Sequence, residues 1–239
     1  FELNPSLGKS INLDAFEPIV KISSKNKVNR FIYASSSSVY GIKSEPNVNE
    51  DMTLEPLTDY SKFKADCEKI LNESKTNEFK VATIRPATVC GFSPRQRLDV
   101  IVNILTNFAF FKKEISVFGG DQLRPNVHIL DMVRSYEHLL MTDFSKINGE
   151  IFNVGFENVS VNNLANTVKE VLGGDIAIKK IPTNDNRSYH ISSDKIKKVL
   201  NFETKFSIRS AVIDLKNAFK NEILTNTFDN IKYYNIKVM

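Results

Sequence analysis

Val28-Asn-Arg-Phe-Ile-Tyr-Ala-Ser-Ser-Ser-Ser-Val-Tyr-Gly41 is a short β-prone run that passes straight into hydroxyls. Its first half predicts a buried strand over 28–35, because it is brief, carries branched and aromatic residues and is followed at once by small side chains. Open α/β sheets place their ligands at the carboxyl ends of such strands. Downstream, Leu57-Thr-Asp-Tyr-Ser-Lys-Phe-Lys64 sets Tyr60 and Lys64 four apart. On a helix over 59–75, capped by Thr58, both project from one face. A free tyrosine titrates near ~10 and is a poor base at neutral pH; a lysine cation within a few ångströms lowers that value. Ser36 is then placed to hold a reacting oxygen while Tyr60 takes or returns its proton. The Tyr-x-x-x-Lys spacing alone also fits an exposed pair on a solvated face, and the serine run upstream is what favours chemistry.

The rest of the chain alternates strands with helices, which predicts an α/β architecture. Residues 6–25 read as a helix with an apolar stripe through Leu7, Ile11, Leu13, Phe16, Ile19 and Val20. Residues 42–57 read as a loop across the reactive edge, and Lys80–Arg85 as a buried strand stopped by Pro86. Helices are expected over 97–112, 132–141, 161–172, 194–201 and 207–223, and strands over 115–118, 151–154 and 176–181. The Asn- and Lys-rich stretch after Leu224 reads as a peripheral or frayed tail.

Five motifs in order resemble the extended short-chain dehydrogenase/reductase family, specifically its nucleotide-sugar epimerases and dehydratases. They are Ser35-Ser36-x-x-Val39-Tyr40-Gly41, Tyr60-x-x-x-Lys64, Arg85-Pro86-Ala87-Thr88-Val89-Cys90-Gly91, the run from Gly119-Gly120-Asp121-Gln122 through Arg124 to His128-x-x-Asp131, and Phe152-Asn153-Val154-Gly155. The resemblance spans roughly residues 4–215. It implies a Rossmann-like doubly wound parallel sheet with a smaller C-terminal α/β substrate-binding lobe. Residues 1–92 would hold the remainder of the dinucleotide-binding domain, and 93–239 mainly the substrate lobe, with 127–155 returning to the sheet. The family's Gly-rich strand-to-helix turn, which seats a pyrophosphate on a helix N-terminus, has no equivalent among the nine glycines. The expectation is therefore an N-terminally truncated member that, as residues 1–239 alone, binds the cofactor no better than about millimolar, is inactive and tends to aggregate.

What the resemblance implies for function is an NAD-dependent epimerase (NADP remaining open) acting on a nucleoside-diphosphate sugar through a transient 4-keto sugar. Tyr60 would be the base, with Lys64 and Ser36 assisting. Tyr60, Lys64 and Pro86 would face the cofactor; Ser37, Thr88, Asn103, Arg124 and Arg187 would face the substrate. The two arginines suit a diphosphate because a guanidinium fork meets two phosphate oxygens at once. Relatives that dehydrate carry Asp-Glu after the catalytic hydroxyl, and here those positions are Ser37 and Ser38. The alternatives are a 4,6-dehydratase, a 4-keto reductase, or a non-catalytic relative. His128 reads as an anchor for Asp131 and its loop. The helix over 6–25 and the helix carrying Tyr60, with Ile70 and Leu71, would pair with their copies in a homodimer.

Composition is ordinary for a soluble globular protein: hydrophobic residues make up 41 % and charged residues 25 % of the 239. The formal net charge of +4 comes from lysines spread along the chain, without the basic block that nucleic-acid binding requires. Cys67 and Cys90 have no metal spacing and form no disulfide framework, so no metal is expected. No apolar run reaches the ~18 residues of a membrane span. Cytoplasmic residence is the expectation.

Overall fold

The run Lys80–Pro86 (β2), buried from Val81 to Arg85, organises the first half of the fold. In the computed structural model, which describes residues 4–183, 188 and 190–235, the chain forms two compact units. Each is assembled from three stretches: 1–87, 133–154 and 191–203 in the first, and 88–132, 155–190 and 204–239 in the second. The boundary read at 92/93 thus lies inside the second unit, and 191–203 belongs with the first.

In the first unit β2 lies between β1 (Arg30–Ala34) and β6 (Glu150–Val154), all parallel, with Ile32 opposite Ala82 and Ile84 opposite Phe152. A strand covered on both edges and both faces reads as a continuous apolar run, which is how Val-Ala-Thr-Ile is written. Pro86 ends β2 rather than lying beyond it, since a last residue is not required to donate to the ladder. The helix expected over 6–25 is broken into α1 (Pro5–Lys9), a π-helical turn at Ser10–Asp14 and α2 (Phe16–Lys25). In that turn the Asn12 carbonyl accepts the Cys67 thiol at 3.2 Å, and the Asn12 side chain donates to Gly8 O at 2.8 Å. The apolar stripe divides accordingly. Phe16 and Val20 join Tyr33, Cys67, Leu71, Phe79 and Val81 in one core, while Leu7, Ile11 and Ile19 are 47 %, 63 % and 51 % exposed.

The helix of the Tyr/Lys pair, α3 (Asp59–Glu73), starts at a capping box: Ser61 N donates to the Thr58 hydroxyl, and Thr58 N donates to that of Ser61. Serine at the third helical position supplies the return bond that Glu or Gln gives elsewhere. The unit is completed by most of α5 (Ile129–Met141) and by α7 (Asp194–Leu200), which packs against β6.

In the second unit β3 (Thr88–Cys90) runs parallel to β5 (Leu123–His128), and β7 (Glu157–Ser160) closes that sheet antiparallel. A parallel pair, β4 (Glu114–Phe118) and β8 (Ala177–Ile181), stands apart from it. Helices α4 (Ile101–Lys112), α6 (Val161–Leu172) and α8 (Ile208–Lys220) pack together over a core that includes Val102, Leu105, Leu164, Val168, Ala211 and Val212. Of the 127–155 stretch, residues 127–132 belong to this unit and 133–154 to the first. The tail is not frayed through residue 235: Tyr233 and Tyr234 pack on a cluster of Leu98, Leu215, Phe219 and Leu224. Leu98 N donates to Tyr233 O at 2.9 Å, and Asn235 N to Asp99 Oδ2 at 2.9 Å. Asparagine and lysine made that stretch look polar, while its aromatics do the packing.

Candidate active site

Where β1 ends, the serine run folds into a 3₁₀ turn, Ser37–Tyr40, that the sequence did not announce. Ser36 caps it: its hydroxyl oxygen accepts from Ser38 N at 3.2 Å and from the Ser38 hydroxyl at 2.9 Å. A hydroxyl that only accepts within the protein keeps its own proton to donate, which is what polarising a carbonyl oxygen needs. Ser36 is half-buried, while Ser35 and Ser37 are 4 % and 3 % exposed. Ser37, expected at the substrate, is thus buried. Gly41 closes the turn at φ +72°, where a Cβ would lie 2.1 Å from Glu55 O, so the segment leaves the turn at a position that only glycine fits.

Tyr60 and Lys64 share a face of α3, with the ammonium 5.6 Å from the Tyr60 ring and 5.0 Å from the Tyr33 ring. Lys64 Nζ donates to Ala34 O at 2.7 Å, so it is tied to the strand end that delivers Ser36. Burial lowers the Lys64 pKa from its ordinary value, against the opposing pull of Cys67 and Glu68. Burial likewise raises Tyr33, with Cys67 adding to it, and raises Tyr136, to which Tyr60 adds. The half-buried Tyr60 therefore has one cation near its ring and couples to two phenols held neutral.

Behind this pair lies a buried polar network that sequence reasoning missed. Arg85, next to last in β2 after the apolar run, makes a bidentate pair with Glu68 of α3: Nε to Oε1 at 3.0 Å and Nη2 to Oε2 at 2.7 Å. Its Nη1 donates to the Tyr40 hydroxyl at 2.7 Å, and that hydroxyl donates to Asn153 Oδ1 at 2.8 Å. Asn153 N donates in turn to Glu50 Oε1 at 2.7 Å. Burial pushes the Tyr40 phenol up to about 12, although Arg85 and Asn153 oppose this. Burial works against the Arg85 charge too, yet Glu68 and Tyr40 outweigh it and hold the guanidinium above its ordinary value. Two signals were available in the sequence: an arginine inside a strand otherwise apolar, and a glutamate four residues beyond Lys64.

The second unit carries the other expected residues. Thr88, half-buried, opens β3, and Arg124, half-buried on β5, donates to Leu123 O at 3.2 Å. Asn103, expected at the substrate, bonds the backbone of the 91–97 loop. Its Oδ1 accepts Gly91 N at 3.0 Å and its Nδ2 donates to Arg97 O at 2.8 Å, so the buried amide is committed to the 91–97 loop. His128 accepts Leu130 N on Nδ1 at 3.1 Å, which puts the ring proton on Nε2, 3.2 Å from Asp214 of α8. Asp131 accepts the backbone N–H groups of Lys205 and Phe206. Thus His128 and Asp131 each fasten a different part of the segment entering or forming α8, and the Asp131 charge also acts on His128. Arg187 lies outside the described residues, as does Tyr189. Pro86, half-buried, pairs with Val154 at the end of β2 in the first unit. Among the described residues no group of His, Cys, Asp and Glu is arranged to hold a metal, and no helix is long and apolar enough to cross a membrane.

Comparison with known proteins bears on this geometry. The profile of the NAD dependent epimerase/dehydratase family matches residues 4–155. An uncharacterized UDP-glucose epimerase of Bacillus subtilis is 30 % identical over 165 residues, which are 68 % of this chain and 51 % of that protein. The chain spans about half the length of the curated relatives it matches. A UDP-glucose 4-epimerase of Thermotoga maritima, solved with UDP-glucose, superposes with a TM-score of 0.82 at 24 % identity, over 92 % of this chain and 73 % of that one. A dTDP-glucose 4,6-dehydratase of Bacillus anthracis, solved with NAD, superposes at 0.77 and 21 % identity over 89 % and 68 %. At such identities both superpositions establish the Rossmann-like fold and leave the reaction to the side chains.

Proposed function

Because this chain belongs to the NAD dependent epimerase/dehydratase family, we propose that it serves C4 epimerisation of a nucleoside-diphosphate sugar with NAD as cofactor. The observation that carries the reading is Lys64 Nζ held between the Tyr60 ring and Ala34 O, the end of the strand that leads into Ser36. In this reading Tyr60 takes the proton of the sugar 4-hydroxyl and later returns it. Lys64 stabilises the phenolate while Tyr60 is deprotonated. Ser36 donates to the same sugar oxygen, which becomes a carbonyl and then a hydroxyl again.

The residues present fit one end of the cofactor. The Lys64 ammonium and Tyr60 phenol supply donors for ribose hydroxyls, with Pro86 near the end of the neighbouring strand. A Gly-rich turn for the pyrophosphate does not occur in the 239 residues. NAD, when bound, supplies the reversible two-electron oxidation of the sugar carbon. Dehydration is disfavoured because Ser37 and Ser38 cannot act as acid and base near neutral pH, and Ser37 is 3 % exposed. Arg124 and Arg187 are proposed to bind the diphosphate, and Thr88 to approach the substrate. The exposed Leu7, Ile11, Ile19 and Ile22 favour a homodimer through α1 and α2. Two buried free thiols, Cys67 and Cys90, suit a reducing, cytoplasmic setting.

The test is to incubate the protein, as its gene encodes it, with UDP-hexoses and NAD and to separate the products by ion-pair chromatography. Interconversion of C4 epimers is expected, with turnover reduced ~10²–10⁴-fold by Tyr60→Phe. A 4-keto-6-deoxy product, recognised by mass and by absorbance in alkali, would replace epimerisation with dehydration.

A further inference from the structure

We propose that Arg85 is a positioning residue: one buried guanidinium sets the separation between the hydroxyl turn that presents Ser36 and the helix face that presents Tyr60 and Lys64. The inference rests on the reading of those three residues given above. Two elements meet in this one plane. From α3, Glu68 takes both of its carboxylate bonds from Arg85, and it follows Tyr60 and Lys64 at intervals of four, so all three lie on one face. From the turn, Tyr40 takes a bond from Nη1; it is the last residue of the 3₁₀ segment that Ser36 caps. A guanidinium is planar and its donors point in fixed directions, so the two bonded elements have little freedom to shift relative to each other. The Tyr40 hydroxyl is also fixed from its other side by Asn153 of β6. The Asn153 amide in turn donates to Val48 O at 3.2 Å and Ser192 O at 3.1 Å.

Stability is a poor reason for this arrangement. A buried ion pair replaced by apolar residues of similar volume often leaves a protein as stable or more so. Arg85 is 3 % exposed and Glu68 6 %, among side chains that would pack as hydrocarbon. What hydrocarbon does not supply is a fixed distance and direction. A misplacement of ~1 Å between a catalytic group and its target lowers turnover about 10²-fold.

Tyr40→Phe tests this by keeping the ring and removing the oxygen that joins Arg85 to Asn153. Glu68→Gln, which keeps the shape of the other partner, is the second variant should Tyr40→Phe not fold. Ile147→Val, in a fully buried site of the same unit, is the control for lost stability alone. Both network variants are expected to lower kcat ~10–100-fold with KM for the UDP-sugar within about twofold, and the control is expected to leave kcat unchanged. Their crystal structures should show the 36–40 turn displaced relative to α3 by more than ~0.5 Å, the tolerance of a working site. A kcat per folded molecule equal to that of the control, or an undisplaced turn, overturns the proposal. If the parent protein epimerises no nucleotide sugar, the proposed reaction fails by itself, and the displacement alone then decides the positioning role.

Discussion

Replacing Lys64 by methionine separates chemistry from folding, because the two are expected to respond differently. Methionine keeps most of the length and removes the charge. The ammonium stands 5.6 Å from the Tyr60 ring. Coulomb's law at that distance with an effective dielectric of about 20 gives roughly 3 kcal/mol of support for a negative charge on Tyr60. Each ~1.4 kcal/mol is a factor of ten, so turnover should fall about 10²-fold. The stability terms oppose each other. Burial lowers the Lys64 pKa below its ordinary 10.5, so between the lowered value and 10.5 the unfolded chain binds more protons than the folded one. Stability therefore rises as pH climbs through that window, and at neutral pH the buried charge is a burden that methionine removes. Against this, the bond to Ala34 O is lost, a charged hydrogen bond of about 1.5–3 kcal/mol. The melting temperature should stay within roughly 5 °C of the parent. Steady-state epimerisation gives the first quantity and calorimetry the second. A Lys64→Met enzyme with turnover within about threefold of the parent would refute the role assigned to the ammonium.

Other outcomes follow from the proposed roles. Arg124→Ala and Arg187→Ala should each weaken nucleoside-diphosphate binding at least about tenfold by calorimetry, since a charged bond to phosphate contributes roughly 1.5–3 kcal/mol; unchanged affinity in both would return these residues to the solvent face. Burial raises the Glu50 pKa above 4.5 while Asn153 N bonds its carboxylate. Its contribution to stability is present below 4.5 and lost as pH rises through the raised value. Glu50→Gln keeps the acceptor and should melt higher than the parent at pH ~7.5, with the gap closing toward pH ~4.5; an equal or lower melting point at the higher pH contradicts this. Ile19→Lys, at a position 51 % exposed on α2, should convert the proposed dimer to monomer in light scattering, and a parent that is already monomeric at micromolar concentration removes that proposal.

The sequence revealed most where one residue type has one physical use. Val-Ala-Thr-Ile in β2 has no polar face to turn to water, and Thr58 ahead of α3 carries a capping oxygen, so both elements were legible. The Tyr60 and Lys64 pairing was legible for the same reason, through its helical spacing. What escaped was set by distant partners. β5 contains Arg124, Pro125, Asn126 and His128, and it becomes a strand because β3 and β7 flank it. The π turn at Ser10–Asp14 answers to a thiol on another helix, with no local break in the helical pattern to announce it. The bonds of the Asn103 amide to Gly91 and Arg97 escaped because those partners come from a loop whose path no periodicity describes.

The clasp formed by the tail has a consequence for the order of assembly. Arg95 Nη1 donates to Lys232 O at 2.8 Å across 137 positions of sequence. Asn235 N reaches Asp99 across 136. The 91–99 loop therefore emerges from the ribosome early and waits for nearly all of the second unit before these bonds can form. Contacts so far apart in sequence are slow to close. Until residues 232–235 have been synthesised, Leu98 and its neighbours lack part of their cover, and nascent chains of this protein pass through a stage in which that apolar cluster is open to other proteins, chaperones among them.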